Sequence, residues 1–138
     1  MQIQQISVFL ENNAGRLAEV TKTIAAAGVN IRAISIADTA DFGILRIIAD
    51  KPGAAMVALA SAGFTARVTD VLAVEIPDEA GSLAKVMELF RNTAVNIEYL
   101  YASLEGASGK AVVIFKVEDV EHGLRIVREH GLSTLEEF

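Results

Sequence analysis

Two short polar segments contain the residues best suited to bind a small charged molecule. Both carry the pattern Ala-Gly-x-Leu, and their members are Asn12, Asn13, Ala14, Gly15, Arg16 and Leu17 in the first segment and Asp78, Gly81, Ser82 and Leu83 in the second. A glycine at the start of a helix leaves the backbone N–H groups open to an anion, which the positive helix end also attracts. The pattern therefore predicts a carboxylate site at each segment. Close packing of helix on strand is an equal explanation for Gly15 and Gly81.

A Val-Asn-Ile sequence follows each segment and supplies a second polar group. It places Asn30 before Ile31, and Asn96 before Ile97, at the entry to a predicted strand. Asparagine has poor strand propensity, and its amide offers both a donor and an acceptor, as an α-amino acid ligand requires. The alternative is a turn residue that stabilises its own loop.

The two polar segments differ in charge. The first contains Arg16 and no acidic residue between Asn12 and Leu17, so it suits the carboxylate of a free amino acid. The second contains Asp78 and Glu79, which would repel a carboxylate, although Asp78 could hold an ammonium group or cap the helix. We therefore expect two unequal pockets, of which the Asn12 loop is the tighter.

These segments belong to an internal repeat that sets the fold. The stretches 10–31 and 76–97 align at an offset of 66 residues, and the later elements align at an offset of 68. Hydrophobic patterning predicts the order β-α-β-β-α-β in each half, with the halves spanning residues 1–68 and 69–138. The fold class is thus α+β: two ferredoxin-like units in tandem, each an antiparallel sheet with helices on one face. A unit of about 68 residues buries little core alone, so the two are expected to pack together, and open edge strands favour a homodimer.

The predicted elements begin and end at recognisable residues. Helices are expected after Asn12 or Asn13 as the cap, after Asp50 with Pro52, from Gly81 to Thr93, and from Asp119 to His130. Glycines 28, 63 and 131 should end three of them. Leu17 and Leu83 open the apolar stripes of the first and third helices. Polar turns are expected at 38–41 and 106–109, and residues 65–76 should run on from one unit into the next.

Composition excludes several classes of protein. The chain has 138 residues with 52% hydrophobic content, no cysteine and no apolar run near the ~18 residues that span a bilayer. The net charge of −6 argues against nucleic acid, which needs clustered cations. Residues 1–68 hold six basic and five acidic residues, and residues 69–138 hold six and thirteen. Neither a cofactor nor a membrane partner is expected, and the protein should be cytoplasmic.

The histidines and the strand tyrosines are expected to be structural. His122 and His130 lie eight residues apart on the last predicted helix without an acidic partner at ligand spacing, so we expect surface residues and no metal site. Tyr99 and Tyr101 fall on one strand face, where core or interface packing is the ordinary role of an aromatic pair.

The double motif resembles the ACT domain, a small regulatory module of amino-acid metabolism, and the resemblance covers essentially the whole chain. It implies that an amino acid binds where two ACT units meet, between the loop before the first helix and the start of the second strand. In the serine-sensing domains of phosphoglycerate dehydrogenase two asparagines bind the ligand. Their positions correspond to Asn12 and Asn30 here, and to Asp78 and Asn96 in the second unit.

The chain also departs from those serine-sensing domains. They carry a histidine where this chain has Leu10 and Ile76, and many members carry proline at Ala14 and Ala80. Serine itself is therefore not implied as the ligand.

The sequence therefore predicts an amino-acid-binding regulatory protein that acts on an enzyme partner. No activated nucleophile or acid–base pair is recognisable, so no catalytic residues are expected. The alternative is an interaction module or regulatory subunit whose ligand pockets are degenerate.

Overall fold

The chain folds as two compact units. The structure is a computed structural model that describes residues 3–11, 13–38, 42–103 and 108–135. One unit spans Gln4–Thr69, and the other is built mainly from Asp70–Glu137. The elements in chain order are β1 (Ile3–Glu11), α1 (Arg16–Ala26), β2 (Ile31–Asp38), β3 (Phe42–Ala49), α2 (Pro52–Ser61), β4 (Thr65–Pro77), α3 (Ser82–Asn92), β5 (Ile97–Ala102), β6 (Lys110–Val117), α4 (Val120–Glu129) and β7 (Ser133–Leu135).

In the first unit, two helices cover one face of a sheet with strand order β2-β3-β1-β4. The strands β1 and β2 both pair with β3 in antiparallel register, with Leu10 opposite Gly43 at one end and Ile31 opposite Ala49 at the other. The buried core combines strand and helix residues, namely Ile6, Val8, Leu10, Val20, Ile24, Leu45, Ile47, Ala55 and Leu59. Alternate residues of β1 supply this core because successive strand side chains point to opposite faces.

The second unit repeats the arrangement with strand order β5-β6-β4-β7. Its core residues are Leu72, Val74, Ile76, Val86, Phe90, Val113, Phe115, Val117, Leu124 and Val127. Phe90 of α3 meets Phe115 of β6 edge to face, with ring centroids 5.3 Å apart and an interplanar angle of 83°. This geometry suits the ring quadrupoles and fixes α3 on the sheet.

The predicted fold class and element order are confirmed. The run that links the two units is one unbroken strand, β4, whose end pairs with both β6 and β7. Glycines 28, 63 and 131 follow the helices with φ of 72°, 85° and 70°, the left-handed conformation expected of a helix stop. The predicted turns fall partly on residues 39–41 and 104–107, which lie outside the described residues.

Two predicted helix caps are wrong. Gly15 occupies the N-cap of α1, and the Asn13 side chain donates instead to the Glu11 carboxylate at 3.0 Å. Lys51 occupies the N-cap of α2, where no side chain caps the helix. The Asp50 carboxylate instead accepts the backbone N–H of Asn30 at 2.9 Å. Cap propensity does not distinguish these roles, because the Asn13 amide has a competing carboxylate two residues away and the Asp50 carboxylate has a partner twenty residues away.

The predicted apolar stripes are wrong at their first residues. Leu17 is 42% exposed and Leu83 is 38% exposed, whereas Val20 and Val86 are buried. The first leucine of each stripe therefore lies outside the core.

Candidate functional site

The polar loops before α1 and α3 share an unusual backbone conformation. Gly15 and Gly81 each occupy the N-cap with φ of 86° and 90°. A β-carbon built on either glycine would have no atom within 4 Å, so close helix–strand packing does not explain them. The left-handed conformation does, because L-residues with a side chain are strained there. Both N-caps therefore lack a side chain, and both helix starts present their backbone to the surface.

A cavity of about 190 Å³, here called the first cavity, lies beside the start of α1. It is lined by Leu10, Glu11, Asn13, Arg16, Leu17, Ile36 and Gly43. Sites for drug-sized ligands usually exceed about 300 Å³, so this volume suits a smaller metabolite. The structure thus brings three predicted site residues, Asn13, Arg16 and Leu17, into one cavity. Asn12, a fourth, lies outside the described residues.

Arg16 is the main cationic group of this cavity. Its guanidinium carbon lies 4.6 Å from the centroid of the Phe64 ring, and its Nη1 lies 2.7 Å from the Glu19 carboxylate. Its Nε atom is buried without a hydrogen-bond partner in the part of the chain that the structure describes. A buried N–H donor without an acceptor is costly, so Arg16 carries an unsatisfied donor beside the first cavity.

Sequence reasoning missed four lining residues that come from strand ends, Leu10 among them. Glu11 is the last residue of β1, Ile36 lies near the end of β2, and Gly43 lies at the start of β3. Antiparallel pairing places these three strand ends together beside the loop before α1. Glu11 also gives the first cavity an acidic group, which inspection of residues 12–17 alone could not reveal. The strand register carries the signal that could have found them. With Leu10 opposite Gly43, the antiparallel pairing places Glu11 and Ile36 at the same end of the sheet.

Asn30 and Ile31 lie at the opposite end of the first unit. Asp50 lies seven positions after Gly43, just past the end of β3, which is roughly 23 Å at about 3.3 Å per residue. The Asn30 carbonyl accepts the Asp50 backbone N–H at 3.1 Å, while the Asn30 N–H donates to the Asp50 carboxylate. Within one unit, therefore, Asn30 does not share a cavity with the loop before α1.

Asn96 makes a similar set of hydrogen bonds in the second unit. Its carbonyl accepts the Glu118 N–H at 2.9 Å, and its side-chain amide donates to the Glu118 carboxylate at 3.3 Å. A polar cavity of about 260 Å³ lies here, lined by Ala94, Val95, Asn96, Glu118, Asp119 and His122. The main chain of Asn30, and the main chain and amide of Asn96, thus join each strand entry to the residue that follows the next strand.

His122 is more deeply placed than the expected surface residue. Its Nε2–H donates to the Thr93 carbonyl at 2.9 Å, and its Nδ1 accepts from Arg125 at 2.9 Å. These contacts link α4 to the end of α3. Among the residues that the structure describes, no group of three or more His, Cys, Asp or Glu side chains is placed to hold a metal ion.

The loop before α3 contributes to a different kind of cavity. The Asp78 backbone N–H donates to the Gly109 carbonyl at 2.9 Å. A cavity of about 190 Å³, here called the second cavity, lies on the flank of α3 that faces the end of α4. Its lining residues are Ile76, Pro77, Glu79, Ser82, Lys85, Val86, Leu89, His130 and Leu132. Of the predicted site residues only Ser82 lines it, whereas Asp78, Gly81 and Leu83 are exposed outside it.

The fold defines a class: a tandem pair of ferredoxin-like modules, each with a small cavity at a helix start. The chain belongs to the ACT domain pair family, whose model matches residues 1–138. The ACT domain pair is a regulatory module rather than a catalytic one. None of the helices in the described ranges is long and apolar enough to cross a membrane.

Solved structures share this fold. Protein BT0572 from Bacteroides thetaiotaomicron is 36% identical, with a TM-score of 0.92 over 98% of this chain and 92% of that chain. The regulatory subunit of aspartate kinase from Thermus thermophilus is 22% identical, with a TM-score of 0.68 over 95% of this chain and 94% of that one. The corresponding subunit from Thermus flavus has a TM-score of 0.62 at 22% identity, over 94% of this chain and 92% of that one. No curated protein matched the sequence.

Proposed function

We propose that this protein is an amino-acid sensor that binds its ligand in the first cavity and regulates an enzyme partner. The observation that carries the proposal is Arg16, which lines a cavity of metabolite size while its buried Nε–H has no acceptor among the described residues. Membership of the ACT domain pair family supports a regulatory rather than a catalytic role.

The first cavity provides a complementary group for each part of an amino acid. The ligand carboxylate would accept from Arg16 near the positive end of α1. Its ammonium group would face the Glu11 carboxylate, which the Asn13 amide holds in place at 3.0 Å. Leu10 and Ile36 would contact its side chain. This pattern of a mostly apolar wall with a few placed polar groups is typical of small-molecule sites.

The two units are unequal in this proposal. The second has Ser82 where the first has Arg16, and Glu79 where the first has Asn13, so its loop lacks the cation that the carboxylate requires. Residues 1–68 would form the ligand-binding ACT domain and residues 69–138 its partner domain. Asn30, Asn96 and Asp78 remain candidate ligand contacts only if another copy of the domain brings them to a loop.

A homodimer through the edge strand β2 is part of the proposal. β2 ends the strand order of the first unit, and its Ile36 is 54% exposed, while the adjoining Phe42 is 55% exposed. Exposed apolar side chains on an edge strand favour pairing with another chain. We also place the protein in the cytoplasm, where free amino acids and the enzymes that use them occur together.

A thermal-shift screen against the standard amino acids tests the proposal. A ligand at 100 times its dissociation constant adds about 2.7 kcal/mol to the free energy of unfolding. For a chain of this size that raises Tm by roughly 10 °C. Absence of any shift at millimolar amino acid would favour the alternative, an interaction module whose exposed Ile36 and Phe42 bind another protein.

A charge-only comparison then locates the site. Gly15→Asn and Gly15→Asp have nearly the same shape and both tolerate a left-handed backbone, so they differ mainly in charge. A carboxylate about 6 Å from the ligand carboxylate costs about 0.7 kcal/mol in water and about 3 kcal/mol at a dielectric constant near 20. We therefore expect the Asp variant to bind at least ~3-fold more weakly by calorimetry. For a ligand bound in the first cavity, the pair Gly81→Asn and Gly81→Asp should show no such difference, and equal losses at both glycines would contradict the inequality of the two units.

A further inference from the structure

The same flank of the first helix is filled in one unit and empty in the other. In the first unit, the Arg16 guanidinium packs on the Phe64 ring at 4.6 Å and pairs with Glu19 at 2.7 Å. These three residues close the space between α1 and the chain that follows α2. In the second unit their counterparts are Ser82, Leu132 and Lys85, at the repeat offsets of 66 and 68 residues.

These replacements explain the second cavity. Serine and leucine are much smaller than arginine and phenylalanine, and Lys85 replaces a carboxylate with an ammonium group. The space that the first unit fills is therefore a cavity of about 190 Å³, bordered by Ser82 and Leu132. Such a cavity forfeits the dispersion contacts that a filled core would make, and a ligand can restore them.

The lining of the second cavity selects a particular chemistry. Its floor is aliphatic: Ile76 is 5% exposed and Val86 is 2% exposed, and Leu89 and Leu132 complete the wall. Its rim is polar, with the exposed Lys85 ammonium group, the Ser82 hydroxyl at the first turn of α3, and Glu79. The positive end of α3 adds to the attraction that Lys85 exerts on an anion.

We propose that the second cavity is a binding site for a small branched aliphatic carboxylate, separate from the amino-acid site of the first unit. The hydrocarbon chain lies against Val86 and Leu132, and the carboxylate pairs with Lys85 and the Ser82 hydroxyl. Glu79 faces the α-position, where an ammonium group would be attracted and a 2-oxo group would not. The site thus distinguishes an aliphatic amino acid from its oxo acid through Glu79. Its existence does not depend on the first cavity being occupied.

Methyl NMR spectra of the full chain, titrated with 4-methylpentanoate, test the proposal. This probe has the hydrocarbon chain and the carboxylate but no ammonium group. We expect the methyl signals of Val86, Leu89 and Leu132 to shift together and to saturate. In the Glu79→Gln variant the matched amine, 3-methylbutylamine, should leave them unchanged, because Lys85 repels its ammonium group and the Glu79 carboxylate no longer attracts it. Absence of a shift with the carboxylate, or equal shifts with the amine, would overturn the proposal.

A variant that copies the first unit provides the decisive control. The double substitution Ser82→Arg and Leu132→Phe should fill the cavity and abolish the methyl shifts. Lys85→Gln should weaken binding by roughly 3-fold, as expected of an ion pair at the solvent boundary, while Lys22→Gln on the corresponding helix should not. Unchanged binding by a filled variant that retains the wild-type unfolding midpoint would refute the site.

Leucine and its 2-oxo acid then distinguish the two sources of the carboxylate. Wild-type protein should bind leucine more tightly than 4-methyl-2-oxopentanoate at these methyl groups. Glu79→Gln should remove that preference, and it should strengthen binding of 4-methylpentanoate because it removes a carboxylate that repels the ligand. If the sensor proposal fails, the methyl signals of Leu10 and Ile36 in the first cavity should not shift with any amino acid. The two proposals are therefore tested by different signals and can fail separately.

Discussion

Two glycines within helices should respond in opposite directions to replacement by alanine. Gly123 lies in α4, where a built β-carbon would be 2.9 Å from Leu72 Cδ1 and 3.1 Å from Val117 Cγ2. Gly53 lies in α2, where a built β-carbon meets no atom within 4 Å. Neither has a left-handed φ, so backbone strain does not enter the comparison.

The magnitude at Gly123 follows from its neighbours. Leu72 is 2% exposed and Val117 is fully buried, so both side chains have little room to move away from a new methyl group. Overpacking of this kind costs about 1–3 kcal/mol, and alanine in a helix gains about 1 kcal/mol over glycine. We expect Gly123→Ala to lower the free energy of unfolding by about 1 kcal/mol, whereas Gly53→Ala should raise it by about 0.4–1 kcal/mol.

Urea titration with two probes measures these changes. Tyr99 and Tyr101 are the only tyrosines and the chain has no tryptophan, so tyrosine fluorescence reports on the second unit. Circular dichroism reports on helices of both units and therefore covers Gly53. The two variants should differ by about 2 kcal/mol, on the order of 6 °C in Tm.

A second substitution identifies the cause of the loss. Leu72→Val removes the Cδ1 atom that the new methyl group would approach, so the double variant with Gly123→Ala should lose less stability than the two single changes together. If Gly123→Ala instead raised the urea midpoint as Gly53→Ala does, the close approach of α4 to β4 would not be a constraint.

Other predictions concern a helix cap, the hydrogen bond between Asp50 and Asn30, and the core of the second unit. Asp119→Ala should cost about 1 kcal/mol because the carboxylate accepts the His122 N–H at 3.1 Å, whereas Asn13→Ala should cost almost nothing, since Asn13 caps no helix; urea midpoints compare them. Asp50→Ala should cost about 1–3 kcal/mol by removing the acceptor of the Asn30 N–H, and hydrogen exchange of that amide should accelerate selectively. Phe90→Ala should cost about 3–5 kcal/mol and lower the tyrosine fluorescence transition, because the ring is 1% exposed.

Local patterns predicted the fold well because they encode local physics. Glycines 28, 63 and 131 each stop a helix with a left-handed φ, which few other residues adopt without strain. The helix caps failed for the complementary reason. Asn13 and Asp50 both stand at plausible cap positions, but their side chains bond to Glu11 and to the Asn30 N–H. The Glu11 carboxylate and the Asn30 N–H compete with the helix ends for these two side chains. Cap propensities take no account of such competing partners.

The candidate site was only half visible in the sequence. The loop residues Asn13, Arg16 and Leu17 could be chosen from the repeat, whereas Glu11 and Ile36 join them through strand register. The second cavity depends on a difference of side-chain volume between aligned positions of the two halves. That signal was present in the repeat, but it becomes meaningful only when the structure shows that the aligned side chains fill the same space.

The unbroken strand β4 limits where the chain can be cleaved and where its length could change after duplication. Thr65–Pro77 is a single strand without an intervening loop, so no residues at the junction are dispensable to either half. A cut between residues 68 and 69 would sever a hydrogen-bonded strand, and proteases, which need several residues of unfolded chain, should attack elsewhere. Length changes after the ancestral duplication would be tolerated in turns and rejected at the junction. The repeat offset grows from 66 to 68 residues because the turn near 106–109 is two residues longer than the turn at 38–41. The extra residues thus lie in a turn and not at the junction, in keeping with that constraint.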